Sequence, residues 1–262
     1  MFIAIAAIAV YLCASMYQML QLRQHPALRL MPLRLVAALA VGLHGYISVE
    51  WVITDHGLDF SLFPMSAAIS FTINLIVLVS SFRKPVHNLF LLLFPLAAII
   101  LAATILVGST HQPWQAVSAP IGTHIFISIL AYSLMTIAAF QAVLLALQNW
   151  RLRHKHLGNW LQVVPPLQTM EALLFEVLWA GFVLLTLSLI TGFLFFEDFF
   201  AQHLVHKSVF SICSWLLYAI LLWGRHVKGW RGNTAIRWTL AAFFAMVLAY
   251  WGSKFVIEVL LA

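Results

Sequence analysis

Eleven histidines stand in this chain beside only 14 lysines and arginines and eight acids. Imidazole is the side chain that titrates near neutrality and that ligates metals as a neutral base. Most of the eleven lie where water or lipid headgroups account for them: His25, His87, His154, His156 and His226 in or beside basic loops, and His56, His111 and His203 in the opposite loops. Three fall within long apolar runs, namely His44, His124 and His206, and ionisable groups at membrane depth are functional candidates by default. Two neutral imidazoles on facing helices would supply the axial bonds of a haem iron, with aromatic and aliphatic side chains enclosing the porphyrin. Taken singly, each is better explained by an interhelical hydrogen bond or by solvation at a helix end. What joins His124 to His206 is depth, since at about 1.5 Å per residue both lie a few residues inside the same boundary. His44 lies deeper, flanked by Gly42 and Gly45, which would admit either a close helix or a flat ligand.

Other chemistries find less support. No Asp or Glu lies at the middle of an apolar run, whereas ion-coupled pumps need a carboxylate relay there. Cys13 and Cys213 stand far apart within apolar runs, so no CxxC pair exists for thiol redox chemistry or zinc. No block of Lys and Arg is long enough to track a nucleic-acid backbone, despite a net charge of +6.

The elements that must position these histidines follow from composition. Of the 262 residues, 63% are hydrophobic and 8% charged, against roughly 25% charged in a soluble domain, which excludes a soluble globular protein. A mean hydropathy of +0.99 excludes disorder. A bilayer core requires about 20 apolar residues per helix, and eight such runs occur, at about 2–20, 33–53, 63–81, 88–107, 121–147, 172–195, 206–224 and 236–258. Their Leu, Ile, Ala and Phe content favours helices over a barrel's alternation. The expectation is an all-α polytopic transmembrane bundle of eight helices, one integral membrane domain over 1–262. The first run lacks a basic leader and is read as a retained anchor.

Bases collect in alternate loops: Arg23, Arg29 and Arg34; Arg83 and Lys84; Arg151, Arg153 and Lys155; Arg225, Lys228, Arg231 and Arg237. Short loops rich in Lys and Arg stay in the cytoplasm, so both termini are expected on the outer, periplasmic side. Lys207 and Lys254 fall on that outer side, with most of the acids, including Glu50, Asp55, Asp59, Glu197, Asp198 and Glu258. Residues 148–171 form the longest inner connection, expected as an interfacial segment with Trp150 and Trp160 at headgroup level and Pro166 opening the sixth helix. The early acid Glu171 is expected to complement the positive end of that helix. The outer connection before the seventh run is dense in Phe, including Phe193, Phe195, Phe196, Phe199 and Phe200.

Specific strings add to this reading. GTHIFISILAYSLM around His124, GFVLLTLSLITGFLF at 181–195, HKSVFSICSWLLYAILLWGR at 206–225 and GWRG at 229–232 occur in an order that resembles the cytochrome c assembly protein family of haem-handling membrane proteins. FRKPVHNL at 82–89, PPLQTME at 165–171 and YWGSKFVIEVLL at 250–261 fit its short HemX-like (YpjD-like) branch. In the cytochrome c synthase branch a Trp-rich loop presents haem at the outer face between histidines, and the resemblance carries only His124 over. The loop corresponds here to the Phe-rich FLFFEDFFAQHLVHK, the histidine two residues before Arg225 is Trp223, and the C-terminal histidine is missing.

The resemblance implies a bacterial inner-membrane protein that binds or relays haem b near its outer face, without bond-making of its own. His124 is the first candidate ligand to the iron, His206 the second and His44 the third. Arg225 and Arg231 are expected to hold the inner end of the seventh run and the GWRG turn by pairing with lipid phosphate. The expected partners are the bilayer, haem and another membrane protein, with no nucleic acid. The alternative is a non-catalytic accessory protein that regulates or stabilises a partner without haem; a small-solute permease is the third reading, with neither a carboxylate relay nor an internal repeat behind it.

Overall fold

Removed from water, a backbone must satisfy its own N–H and C=O groups, and long Leu- and Ala-rich runs do so as helices. The computed structural model describes residues 1–24, 30–108, 114–115, 117–154, 164–195 and 205–252, with the side chains of 22–24, 205 and 206 left aside. It contains α1 (Phe2–Gln24), α2 (Leu30–Val52), α3 (Leu62–Ser81), α4 (Phe90–Val107), α5 (Ala119–Arg153), α6 (Leu167–Phe195), α7 (Val205–Lys228) and α8 (Asn233–Val247). A π-helical turn, Leu248–Gly252, extends α8. All eight are long and apolar enough to cross a membrane, as hydropathy led us to expect. The differences lie at polar ends. Helix α5 continues to Arg153, where Arg151 and Arg153 favour the negative end of the helix, and α6 begins directly after Pro166. Of the expected interfacial segment, residues 155–163, with Trp160, lie outside the described residues.

The helices fall into two compact units. The first comprises Met1–Gln115 with Gln148–Pro166. In it α1 packs on α2, α2 on α3, α3 on α4, and α4 back on α1, closing a four-helix ring. Its centre is filled by Tyr11, Leu33, Ile47, Phe90, Phe94 and Leu101, all fully buried. Between α2 and α3 the chain makes a two-residue antiparallel pairing, Ile53–Thr54 with Gly57–Leu58, and Leu58 bridges to Trp114. Gly57 has φ 128° and lies against the Trp114 carbonyl, where a side chain would not fit. Asp59 is buried, and its Oδ1 accepts from Ser61 N at 2.8 Å and Ser61 Oγ at 2.5 Å, ordering the start of α3.

The second unit comprises Ala116–Leu147 and the chain from Leu167 onward. Its helices run antiparallel, as cross-contacts show. His124 meets Thr191 and Gln141 meets Met170 between α5 and α6; Trp215 meets Thr186 between α6 and α7; Ser214 meets Ala242 between α7 and α8. The start of α5, the end of α6, the start of α7 and the π turn after α8 therefore share one end. At the other end lie the start of α6, the end of α7 and the start of α8.

Candidate functional site: the histidine end of the second unit

His124 is the sixth residue of α5 and half-buried. Its Nδ1 lies 3.1 Å from Thr191 Oγ1. A threonine hydroxyl has one proton, and that of Thr191 is committed to its own helix, donating to Leu187 O at 2.8 Å or Ser188 O at 3.1 Å. With that proton kept within its helix, Thr191 accepts from Nδ1–H and the lone pair falls on Nε2. Ser128, one turn along α5, donates to His124 O at 2.7 Å, lies 2.7 Å from Ser188 Oγ, and stands 3.4 Å from Nε2. Hydroxyls thus hold the ring in one tautomer and orientation, the arrangement that second-shell partners give to metal-ligating histidines.

At this end the described donor for an iron is the one imidazole of His124, which suits a metal already held by a porphyrin. Among the described residues no three His, Cys, Asp or Glu gather closely enough to hold a metal, whereas a porphyrin brings four nitrogens and asks the protein only for axial bonds. His206 belongs to the first turn of α7, at the same end of the unit as His124, and its side chain lies outside the described ones. Next to it, the exposed Lys207 places its ammonium 5.8 Å from the centre of the Tyr250 ring. Tyr250 in turn lies 5.7 Å from Tyr132, eight residues along α5 from His124. Deeper in, the hydroxyls of Tyr132 and Tyr218 are buried without a hydrogen-bond partner. Of the Phe-rich connection, Phe193 and Phe195 are exposed on α6, and 196–200 lie outside the described residues.

His44 lies in the first unit and is fully buried. Tyr11 Oη stands 3.0 Å from its Nδ1, an interhelical bond from α1 to α2. The Tyr11 and Phe71 rings approach its imidazole at 5.6 Å and 6.1 Å. Gly45, seen in the sequence as room for a helix or a ligand, receives the Phe71 ring: a Cβ there would lie 2.6 Å from Phe71 Cε2. Gly42 faces open space.

The opposite end of the second unit holds a charge cluster that the sequence did not assemble. Glu171 Oε1 accepts from Arg225 Nη1 at 2.8 Å and from Arg231 Nε at 2.9 Å, and Oε2 accepts from Gly232 N at 3.1 Å. Arg225 also donates to Trp230 O at 3.1 Å and stacks over Phe175, 4.3 Å from its centre. Both arginines thus hold the GWRG turn, and the partner they share is a carboxylate of the protein. Glu171 is not in the first turn of its own helix; it serves the start of α8, where Gly232 is the N-cap. Low charge density in the sequence hid this, because 54 and 60 positions separate the partners. The signal was present, since a carboxylate facing a membrane interior needs cationic partners.

Sequence comparison agrees with this architecture. Residues 33–261 match the family described as cytochrome C assembly protein. The inner membrane protein YpjD of Escherichia coli (strain K12) is 31% identical over 202 residues, 77% of this chain and 76% of that protein. An uncharacterized 28.8 kDa protein of Azospirillum brasilense is 29% identical over 235 residues, 86% of this chain and 85% of its own. The cytochrome c biogenesis protein CcsA of Prochlorococcus marinus (strain MIT 9515) is 31% identical over 90 residues, 34% of this chain and 29% of that protein. No solved structure matches. With a family match over most of the chain and eight membrane-spanning helices, the chain belongs to the cytochrome c assembly protein family and is a multi-pass protein of the bacterial inner membrane.

Proposed function

We propose that this protein binds or relays haem b at the histidine end of its second unit, which the distribution of bases assigns to the periplasmic side. His124 would hold the iron through Nε2, with His206, at the same end, as the second residue that would hold it. The observation that supports this reading is the Thr191 contact, which suits the Nδ1–H tautomer of His124 and so a lone pair on Nε2. His44 keeps an interhelical role with Tyr11 in the other unit. When bound, haem would supply an iron open to imidazole nitrogen and a ferric–ferrous couple. The protein's part is to orient the imidazoles and to enclose the porphyrin between apolar helices, and it makes or breaks no covalent bond.

The test is the absorption spectrum of protein purified in mild detergent from haem-replete cells, oxidised and then reduced with dithionite, with pyridine haemochrome stoichiometry. Near-unit haem with a sharp reduced α-band, lost in His124→Ala and weakened or high-spin in His206→Ala, is the expected result. A protein without haem even after haemin addition would overturn the reading and leave the accessory-protein alternative. Full haem retention in both variants would overturn the assignment of ligands.

A further inference from the structure

We infer that the inner end of the first unit binds a phosphate-bearing ligand, with Arg34 as the cation that holds it. The inference is independent of the haem reading and concerns the other unit.

Arg34 is the fifth residue of α2 and half-buried. Its Nη2 donates to Ser81 O at the end of α3, and its guanidinium lies 5.0 Å from the centre of the Phe82 ring. Its Nε is buried and has no hydrogen-bond partner. A cation drawn out of water is costly unless an anion faces it, and this unit supplies none. Its acids are Glu50, Asp55 and Asp59. Glu50 lies near the far end of the same helix, about 24 Å along the axis at about 1.5 Å per residue. Asp55 and Asp59 follow it, between α2 and α3. The second unit shows the other solution, in which Arg225 and Arg231 share Glu171. The positive-inside pattern accounts for a base in this region. It does not account for a guanidinium drawn against the end of α3 while Arg83 and Lys84 stay exposed.

Buried amides with unpartnered atoms lie at the same end. Gln18 of α1 donates through Nε2 to His87 O at 2.8 Å and leaves Oε1 without a partner. Asn88 is 7% exposed, belongs to the turn that packs on α3, and has neither amide atom partnered. Tyr11 meets His44 on α2 and Phe94 on α4, which sets the depth. Toward the inner end, Gln18 is about two turns from Tyr11 and Arg34 about three from His44. The N–H groups of Arg34 and Asn88 suit phosphate oxygens. The amide oxygens suit the hydroxyl or ammonium that a phospholipid headgroup carries beside its phosphate, and basic pockets between membrane helices on the cytoplasmic side bind such headgroups.

A free phosphate offers Arg34 the same chemistry, and the experiment separates the two sources. The delipidated full chain in a non-ionic detergent is titrated with phosphatidylglycerol, with diacylglycerol of the same acyl chains, and with inorganic phosphate. The thermal unfolding midpoint is read against concentration. Phosphatidylglycerol should raise it and diacylglycerol should not. Arg34→Gln should weaken the apparent affinity about tenfold, the size of one hydrogen bond to a charged group. Arg34→Lys should recover part of the loss, since an ammonium keeps the charge without the planar fork. Asn88→Ala leaves the Arg34–Ser81 contact in place and should weaken binding about threefold; it carries the test where Arg34→Gln does not fold. Arg83→Gln should keep the wild-type affinity. Within the inference, a response to the lipid alone assigns a headgroup, and an equal response to inorganic phosphate assigns a free phosphate. No response of wild type to either, or equal responses to phosphatidylglycerol and diacylglycerol, overturns the inference. So does wild-type affinity in Arg34→Gln, or in Asn88→Ala where it stands in, and so does equal weakening in Arg83→Gln, which would mark a diffuse basic surface.

Discussion

At the scale of single residues, the chemistry rests on how each imidazole is held. Thr191 contacts His124 Nδ1, so under the proposed haem role Thr191→Val should lower haem affinity by about tenfold, the lower end of what such partners of metal-ligating histidines contribute. Thr191→Ser should restore it, and a Soret titration of the three proteins decides the matter. Equal affinity in all three would mean that Thr191 does not set the ring. His44 offers the contrast. Tyr11→Phe removes its interhelical partner while keeping the ring, and should destabilise the first unit by about 0.6–1.7 kcal/mol, as polar contacts between membrane helices do. Haem content should stay at the wild-type level. Unfolding in a detergent–SDS mixture, with haem measured alongside, would refute the separation of roles if Tyr11→Phe lost haem before it lost helix. The sequence offered His44 and His124 as similar residues, and their difference in surroundings was not legible there. It comes from partners 33 and 67 positions away.

At the scale of elements, the junction of α6, α7 and α8 depends on Glu171. One carboxylate ties the end of α7, through Arg225, to the start of α8, through Gly232 N and Arg231. The turn between them has glycines at φ 66° (Gly229) and 54° (Gly232), a region that L side chains avoid. Trp230 folds back so that its N–H donates to Gly224 O at 3.2 Å, and its indole stacks on Trp238 at 5.3 Å. Any Cβ at position 224 would overlap the Trp230 ring, so Gly224→Ala should open this turn and lower thermal stability by about 1–3 kcal/mol. Removing Arg225, 28% exposed, should cost more than removing Arg231, 61% exposed: about 2 kcal/mol against less than 1 kcal/mol. Thermal denaturation of the two alanine variants in detergent tests this ranking, and a larger loss for Arg231→Ala would mean that the exposed pair carries the clasp. GWRG was visible as a motif; that it closes on an acid of α6 was not, because a motif carries no information about its distant partner.

At the scale of the whole molecule, the lipid-facing surface and the loop charges should fix orientation. Large apolar side chains such as Leu35, Leu39, Ile99 and Leu106 are exposed on the helices, as a bilayer requires. With the basic loops inside, a cysteine introduced at Asp55 should react with a membrane-impermeant maleimide in intact spheroplasts. One at Lys84 should react only after permeabilisation. The reverse pattern would place the His124 end on the cytoplasmic side and refute the periplasmic assignment. Sequence alone determined the class and the number of apolar helices. These depend on local hydrophobicity and on the need of each backbone segment to bond itself in lipid, which are properties of consecutive residues. Tertiary structure alone decided that α1–α4 close into a ring, that Thr191 holds His124 while Tyr11 holds His44, and that Glu171 binds the two arginines. The physical reason is that apolar helices of similar composition pack interchangeably as far as hydropathy can tell, and only close packing and a few directional polar contacts select their neighbours.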